Sequence, residues 1–141
     1  MASRIVIPIH NAEGKIVAYA GRWQGDPPNE TPKYKLAAGF RKSVELFNLH
    51  RAIESTDDQP LIVVEGFFDC MKLVQNGHER TVALMGSSLS PIQEQLLRQH
   101  RTPETRIVLM LDEDEAGWAA RAEIIQRLAI QRFVKIVSFA T

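Results

Sequence analysis

The chain has 141 residues, 45% hydrophobic and 24% charged, which suits one globular domain or one domain with a small appendage. Its 17 basic and 17 acidic residues cancel, so total charge gives no argument for nucleic-acid binding and only local patches can. The single cysteine excludes an internal disulfide and a cysteine-rich zinc site, and there is neither a membrane-length apolar run nor a secretory leader pattern. These features together predict a soluble, cytoplasmic protein with no membrane partner.

Residues 4–9 and 15–20 read as strands, and Asn11 and Gly14 between them predict a hairpin. Pro8 cannot donate to a ladder and belongs at an edge or a strand end. Gly21-Arg22-Trp23 leads into a Pro/Gly/Asn-rich loop over residues 24–32. Residues 31–42 carry Lys33, Lys35, Arg41 and Lys42 and no acid. That stretch reads either as a solvated basic loop or as a phosphate-contacting patch. Leu46, Leu49 and Ile53 share one face of a short helix predicted over residues 44–53.

Residues 55–60 are polar, end in proline and mark the best boundary in the chain. Beyond them strands and helices alternate. A strand over 61–65 leads to a helix over 69–75 that Asn76-Gly77 terminates. A short strand over 81–84 and a small-residue turn follow. Ser90 as N-cap, Pro91 at the first helical position and Gln93 closing a capping box then start a helix that reaches about His100. A strand over 106–111, a helix over 117–128 and a last strand over 133–139 complete the series. In that last helix Trp118, Ala122, Ile125 and Ala129 recur at helical spacing, and Trp118 reads as packing rather than as a base-stacking platform. The βαβαβαβ order favours an α/β fold with a parallel sheet and right-handed crossovers.

Two acidic motifs organise this half. Leu61-Ile62-Val63-Val64 runs into Glu65-Gly66, and Ile107-Val108-Leu109-Met110-Leu111 runs into Asp112-Glu113-Asp114-Glu115-Ala116-Gly117. β-Branched runs of this length are buried parallel strands, and open α/β sheets bind ligands at their carboxyl ends. With an extended backbone, Asp112 and Asp114 point to one side and Glu113 to the other. For Glu65 to meet them, the two strands must be neighbours with the 81–84 strand outside, which creates a topological switch point at the acids. Three carboxylates converging without a basic partner repel one another, and a divalent cation is the usual remedy. The expectation is a Mg²⁺ site for phosphoryl transfer. Against it stands the plainer reading of acids stabilised at helix N-termini. Asp69 reads as a helix cap, Glu115 as a fourth metal acid or a first-turn charge, and Ser87 and Ser88 as phosphate donors or turn residues. Cys70 reads as core, His78 and His100 as surface.

Val63-Val64-Glu65-Gly66-Phe67-Phe68-Asp69, Ala83-Leu84-Met85-Gly86-Ser87-Ser88 and the Asp112–Gly117 motif resemble the Toprim domain of bacterial DnaG-type primases. Ile7-Pro8-Ile9, the Gly14 to Arg22 stretch, Pro32-Lys33-Tyr34 and Glu45-Leu46-Phe47-Asn48-Leu49 are similar to the segment that precedes Toprim in those enzymes. The resemblance implies a hairpin-containing subdomain over 1–59 and a Rossmann-like, mainly parallel four-stranded Toprim domain over 60–141. It also implies template-directed RNA primer synthesis from nucleoside triphosphates on single-stranded DNA, using Mg²⁺ or Mn²⁺, with a replicative helicase as partner through regions outside this chain. By position, Glu65 matches the glutamate given acid–base or metal work, and Asp112 and Asp114 match the metal-binding aspartates. Gly66 and Gly117 match the glycines where the backbone turns beside the metal. Arg22 and Lys33 fall at upstream basic positions suited to template or nucleotide, with Lys35, Arg41 and Lys42 nearby.

The departures from that pattern are His10 for a common arginine, Lys35-Leu36-Ala37 for Leu-Asn-Ser, and Glu113 for a common glycine. Members of the family continue beyond the equivalent of Thr141, which leads us to expect a fragment or a reduced version. A Toprim nuclease and a non-catalytic nucleic-acid or replisome-binding module are the competing functions. A topoisomerase is disfavoured, because Tyr19 and Tyr34 lie in the primase-like segment.

Overall fold

The computed structural model describes residues 2–55, 58–100, 105–129 and 134–137. Strands β1 (Arg4–His10), β2 (Ile16–Trp23) and β3 (Tyr34–Leu36) form an antiparallel sheet in that order. The hairpin is as expected, but part of the basic stretch is a strand rather than a loop. Its start is held from the far side of the sheet: the Arg4 guanidinium donates to the carbonyls of Pro32 at 2.7 Å and Lys33 at 3.1 Å, and Trp23 N–H donates to Lys33 O at 2.8 Å. Such long-range bonds override a locally polar sequence.

The second sheet contains β5 (Thr81–Ala83), β4 (Leu61–Val64), β6 (Ile107–Met110) and β7 (Val134–Ile136), all parallel and in that spatial order. The expected adjacency of the two acid-bearing strands is therefore present, with β5 outside β4. Phe133 and residues 138–139 of the expected last strand lie outside the described residues, as do residues 56–57 of the expected boundary. Helices α1 (Leu49–Ala52), α2 (Phe67–Gln75), α3 (Pro91–Gln99) and α4 (Glu115–Ala129) complete the chain.

Side-chain alternation along β4 divides the core. Leu61 and Val63 point to one face, where they pack with Leu97 of α3 and Ala120, Ile124 and Leu128 of α4. Ile62 and Val64 point to the other, where they meet Phe67 and Cys70 of α2 together with Ile7, Ile9, Ala18 and Ala20 of the hairpin. The N-terminal sheet thus closes one side of the parallel sheet.

The helix expected over 44–53 is not continuous. A 3₁₀ turn spans Lys42–Val44, and α1 begins only at Leu49. Between them Phe47 pairs in antiparallel fashion with Ala83, at 3.0 and 3.1 Å, on the free edge of β5. This extended step sends Leu46 into one core and Phe47 into the other. Asn48 then turns in the left-handed region at φ 69°, and its Nδ2 donates to Thr81 O at 2.9 Å. Edge pairing satisfies backbone groups that a helix would have satisfied locally.

The capping box on α3 forms as expected, with Ser90 Oγ accepting from Gln93 N–H at 3.0 Å and Gln93 Oε1 from Ser90 N–H at 3.0 Å. Gln93 does more: its buried Nε2 donates to Glu45 O and Leu84 O, tying the 3₁₀ segment to the end of β5. In α4 the core-facing residues are Gly117, Ala120, Ile124 and Leu128. Trp118 is 59% exposed, so the packing role expected for it is corrected: it lies one residue off the buried stripe. Among the described residues no helix is long and apolar enough to cross a membrane.

Candidate functional site

Val64 and Met110 are paired residues of parallel neighbours, so the chain leaves β4 and β6 side by side. Glu65 emerges from one and Asp112 from the other, and Glu65 Oε1 accepts the Asp112 N–H at 3.1 Å. Asp114 is the N-cap of α4. Its Oδ1 accepts from Gly117 N–H at 2.7 Å, and its carbonyl accepts from Trp118 N–H at 2.9 Å. The backbone bends between the aspartates, and Glu113 swings away to lie 3.5 Å from an Arg121 guanidinium nitrogen. Asp112 and Asp114 are therefore separated from Glu113, but by a bend rather than by strand alternation.

Asp69 is not a cap. Helix α2 starts two residues earlier than expected, at Phe67, with Gly66 as its N-cap and no side-chain capping bond. This brings Asp69 around to line a cleft of about 330 Å³ with Asp112, over Val64, Leu73 and Met110. The sequence carried a signal for this: Asp69 is the third residue after Gly66, the position from which a first-turn carboxylate looks back at the strand end.

Burial raises the carboxyl pKa of Glu65 above its ordinary value; the Asp112 N–H opposes this, and the charges of Asp112 and Asp114 push it higher. Asp69 is raised in the same way, first by burial and then by Asp112, with Lys72 opposing. Among the described residues no Lys, Arg or His forms an ion pair with Glu65, Asp69, Asp112 or Asp114. No three Asp, Glu, His or Cys side chains among the described residues gather closely enough to make an all-protein metal cage. The arrangement is a pair of converging carboxylates with a third alongside, suited to holding a proton or to sharing a hard cation with an incoming oxygen ligand.

The two glycines differ. A Cβ on Gly117 would sit 2.1 Å from the Asp112 carbonyl oxygen, so α4 can approach the aspartate loop only through a bare Cα. A Cβ on Gly66 would make ordinary contact, 3.4 Å from Asp69 Oδ2. Gly66 has φ −108°, so neither its backbone nor its space demands glycine.

Two basic candidates reach the carboxyl end of the sheet. Arg22 lays its guanidinium 4.5 Å from the ring centroid of Phe68, in the first turn of α2, and 6.0 Å from that of Tyr34. Lys42 brings Nζ to within 3.0 Å of where a Cβ on Gly86 would be, just past β5. Lys33, Lys35 and Arg41 are exposed and contact none of the acids among the described residues. Sequence reading gave Phe68 no role, although its ring is what Arg22 rests on. Ser87 and Ser88 are exposed in the bend after β5. Cys70 is fully buried, with burial pushing its thiol up to about 12. His78 is exposed and borders the cleft.

The Toprim domain family matches residues 59–140, and the DNA primase catalytic core, N-terminal domain, matches residues 1–53. The DNA primase of Clostridium acetobutylicum is 31% identical over 121 residues, which is 84% of this chain and 19% of that protein. The chain superposes on the Aquifex aeolicus primase, zinc-binding and RNA polymerase domains, with TM-score 0.80 and 30% identity, over 97% of this chain and 34% of that one. A DnaG primase catalytic domain bound to ssDNA gives TM-score 0.78 and 28% identity, over 97% and 44% of the two chains. The chain thus spans about a fifth of the length of the curated relatives it matches. With the acid-bearing strands adjacent and the upstream antiparallel sheet docked on them, the chain belongs to the Toprim domain family, in the arrangement found in the catalytic core of DnaG-type DNA primases.

Proposed function

We propose that this chain supplies the acidic centre for primase-type nucleotidyl transfer, the synthesis of RNA primers from nucleoside triphosphates on single-stranded DNA. The observation that carries the reading is the meeting of Glu65 and Asp112 at the switch point between β4 and β6, with Asp69 alongside and, among the described residues, no ion pair to any of them. Mg²⁺ takes one or two carboxylates and completes its shell with waters and substrate phosphates, so Glu65 and Asp112 fit such an ion without a full cage, and Asp114 is near enough for its charge to act on Glu65. When bound, Mg²⁺ or Mn²⁺ neutralises charge on phosphate oxygens and orients them. Glu65 is deprotonated when it holds the ion; with no ion bound, burial and the neighbouring aspartates favour its protonated form, so the same carboxyl can exchange a proton for the metal. Arg22, braced on Phe68, is suited to a bidentate grip on a phosphate, and Lys42 to a point-charge contact. Lys33, Lys35 and Arg41 form an outlying basic surface for the strand.

In this reading residues 1–59 are a subdomain docked on a Toprim domain of 60–141, acting in the cytoplasm with a replicative helicase as partner through other regions. The solved catalytic domain bound to ssDNA supports a single-stranded partner. The test is Mn²⁺ binding by electron paramagnetic resonance, with and without a nucleoside triphosphate. Loss of the bound signal in Asp112→Asn and Glu65→Gln is the expected result. Equal binding by both variants and the wild type would sink the proposal.

A further inference from the structure

We propose that Trp118 is a stacking platform for a nucleobase delivered to the acidic end of the sheet; the inference rests on the nucleotidyl-transfer reading of that site. Its 59% exposure exceeds that of every other large hydrophobic residue among the described ones. Yet it is not loose. The indole Nε1 donates to Glu113 Oε2 at 3.4 Å, the other Glu113 oxygen lies 3.5 Å from the Arg121 guanidinium, and Arg121 donates to Leu111 O at 3.5 Å. At these lengths the contacts bias the indole edge toward Glu113, and the exposed remainder of the ring is open to a ligand.

The ring is also in the right place. Helical side chains lean toward the N-terminus of their helix and cover the preceding turn. For Trp118 that turn begins at Asp114, which accepts the Trp118 backbone N–H, and includes Gly117, packed on the Asp112 carbonyl. The indole therefore stands at the same end of the sheet as Glu65 and Asp112, on the α4 side rather than the α2 side where the cleft lies, and a nucleotide reaching across the aspartate loop would meet it. Every base has a π-face, so stacking of this kind tolerates sequence. Glu113, where the family pattern commonly has glycine, is the residue that supplies the indole with its acceptor. The departure that adds charge near the acids thus has a structural use.

The chain has two tryptophans, so Trp23→Phe leaves Trp118 as the remaining fluorophore. That variant is titrated, with Mg²⁺, against ATP, a single-stranded oligothymidylate and inorganic tripolyphosphate. Saturable quenching by a base-bearing ligand but not by tripolyphosphate is expected, and the ligand that quenches identifies whether the base comes from substrate or strand. Trp118→Ala should weaken that ligand about tenfold, Trp118→Phe should recover most of the loss, and tripolyphosphate affinity should not change. Because the ring is exposed, the alanine variant keeps the wild-type unfolding midpoint. If Asp112→Asn abolishes binding while Trp118→Ala binds as wild type, the platform falls and the acidic site stands. If none of the three ligands binds the wild type, both fall.

Discussion

Acids at two places around the parallel sheet are treated in opposite ways. Between α3 and α4, Glu94 accepts from Arg98 at 2.7 Å and from Arg127 at 2.8 Å. Burial works against the charge there, but the two arginines outweigh it and hold the Glu94 carboxyl below its ordinary pKa. At the carboxyl ends of β4 and β6, burial and neighbouring carboxylates act together, and Glu65 and Asp69 are raised. The first group is neutralised from within the fold and locks two helices. The second forms no ion pair among the described residues, with only Lys72 acting against the raised pKa of Asp69, and charge so weakly balanced is a common mark of a site completed by a ligand.

The contrast breaks most sharply at Gly117. Alanine there drives a methyl group to 2.1 Å from the Asp112 carbonyl, so either α4 or the aspartate loop must move. We expect a loss of about 3 kcal/mol in urea unfolding, the upper end for overpacking, and loss of Mn²⁺ binding with it. Gly66→Ala has room for its methyl and should cost only about 0.5–1 kcal/mol, from the poorer N-cap, with Mn²⁺ binding kept. Equal effects at the two glycines would mean that close approach is not what Gly117 provides.

Next come paired isosteric changes. Glu94→Gln removes the charge that both arginines hold and should lower stability by about 1 kcal/mol, because solvent screens part of the attraction. Glu65→Gln keeps an acceptor for the Asp112 N–H and removes a repelled charge. In EDTA at neutral pH it should raise stability, by under about 1 kcal/mol, and with it the thermal midpoint. The readout is thermal unfolding of both variants beside the wild type; two shifts of the same sign would erase the distinction between the groups.

Most of this was legible because it rests on local grammar. The apolar runs ending in Glu65 and Asp112, the Ser90-Pro91-Gln93 start of α3 and the Asn76-Gly77 stop of α2 each act within a few residues, and the strand order followed once the acids had to meet. What escaped depends on partners far along the chain. Residues 45–47 have the periodicity of a helix but are drawn to the open edge of β5, some 36 positions away, as Phe47 pairs with Ala83. Residues 34–36 look like a basic loop until Arg4 reaches across the sheet to the carbonyls beside them. Asp69 was misassigned by a two-residue error in the start of α2, and Trp118 by one step around α4, which is a rotation of 100°. In each case the pattern was present and the phase was not.

The smallest expected effect is the pH dependence, and here the two groups oppose each other in sign. Glu94 has a folded pKa below its ordinary 4.5, so in the window beneath that value the unfolded chain binds more protons. Its contribution is fully present above that window and is lost as pH falls through the folded pKa. Glu65 and Asp69 have folded pKa values above their ordinary 4.5 and 3.8, so in the windows above those values the folded chain binds more protons. Their charges cost stability as pH rises through the raised values. Acidification from neutrality should therefore raise the unfolding midpoint at first and then lower it. Glu94→Gln should flatten the acid limb, and Asp69→Asn the neutral one. Mn²⁺ bound by the deprotonated carboxylates should reverse the neutral slope, because folding then takes up metal where it had taken up protons. A neutral slope that survives in both Asp69→Asn and Glu65→Gln would place its origin elsewhere, and the acids at the sheet end would then be no more strained than Glu94 between Arg98 and Arg127.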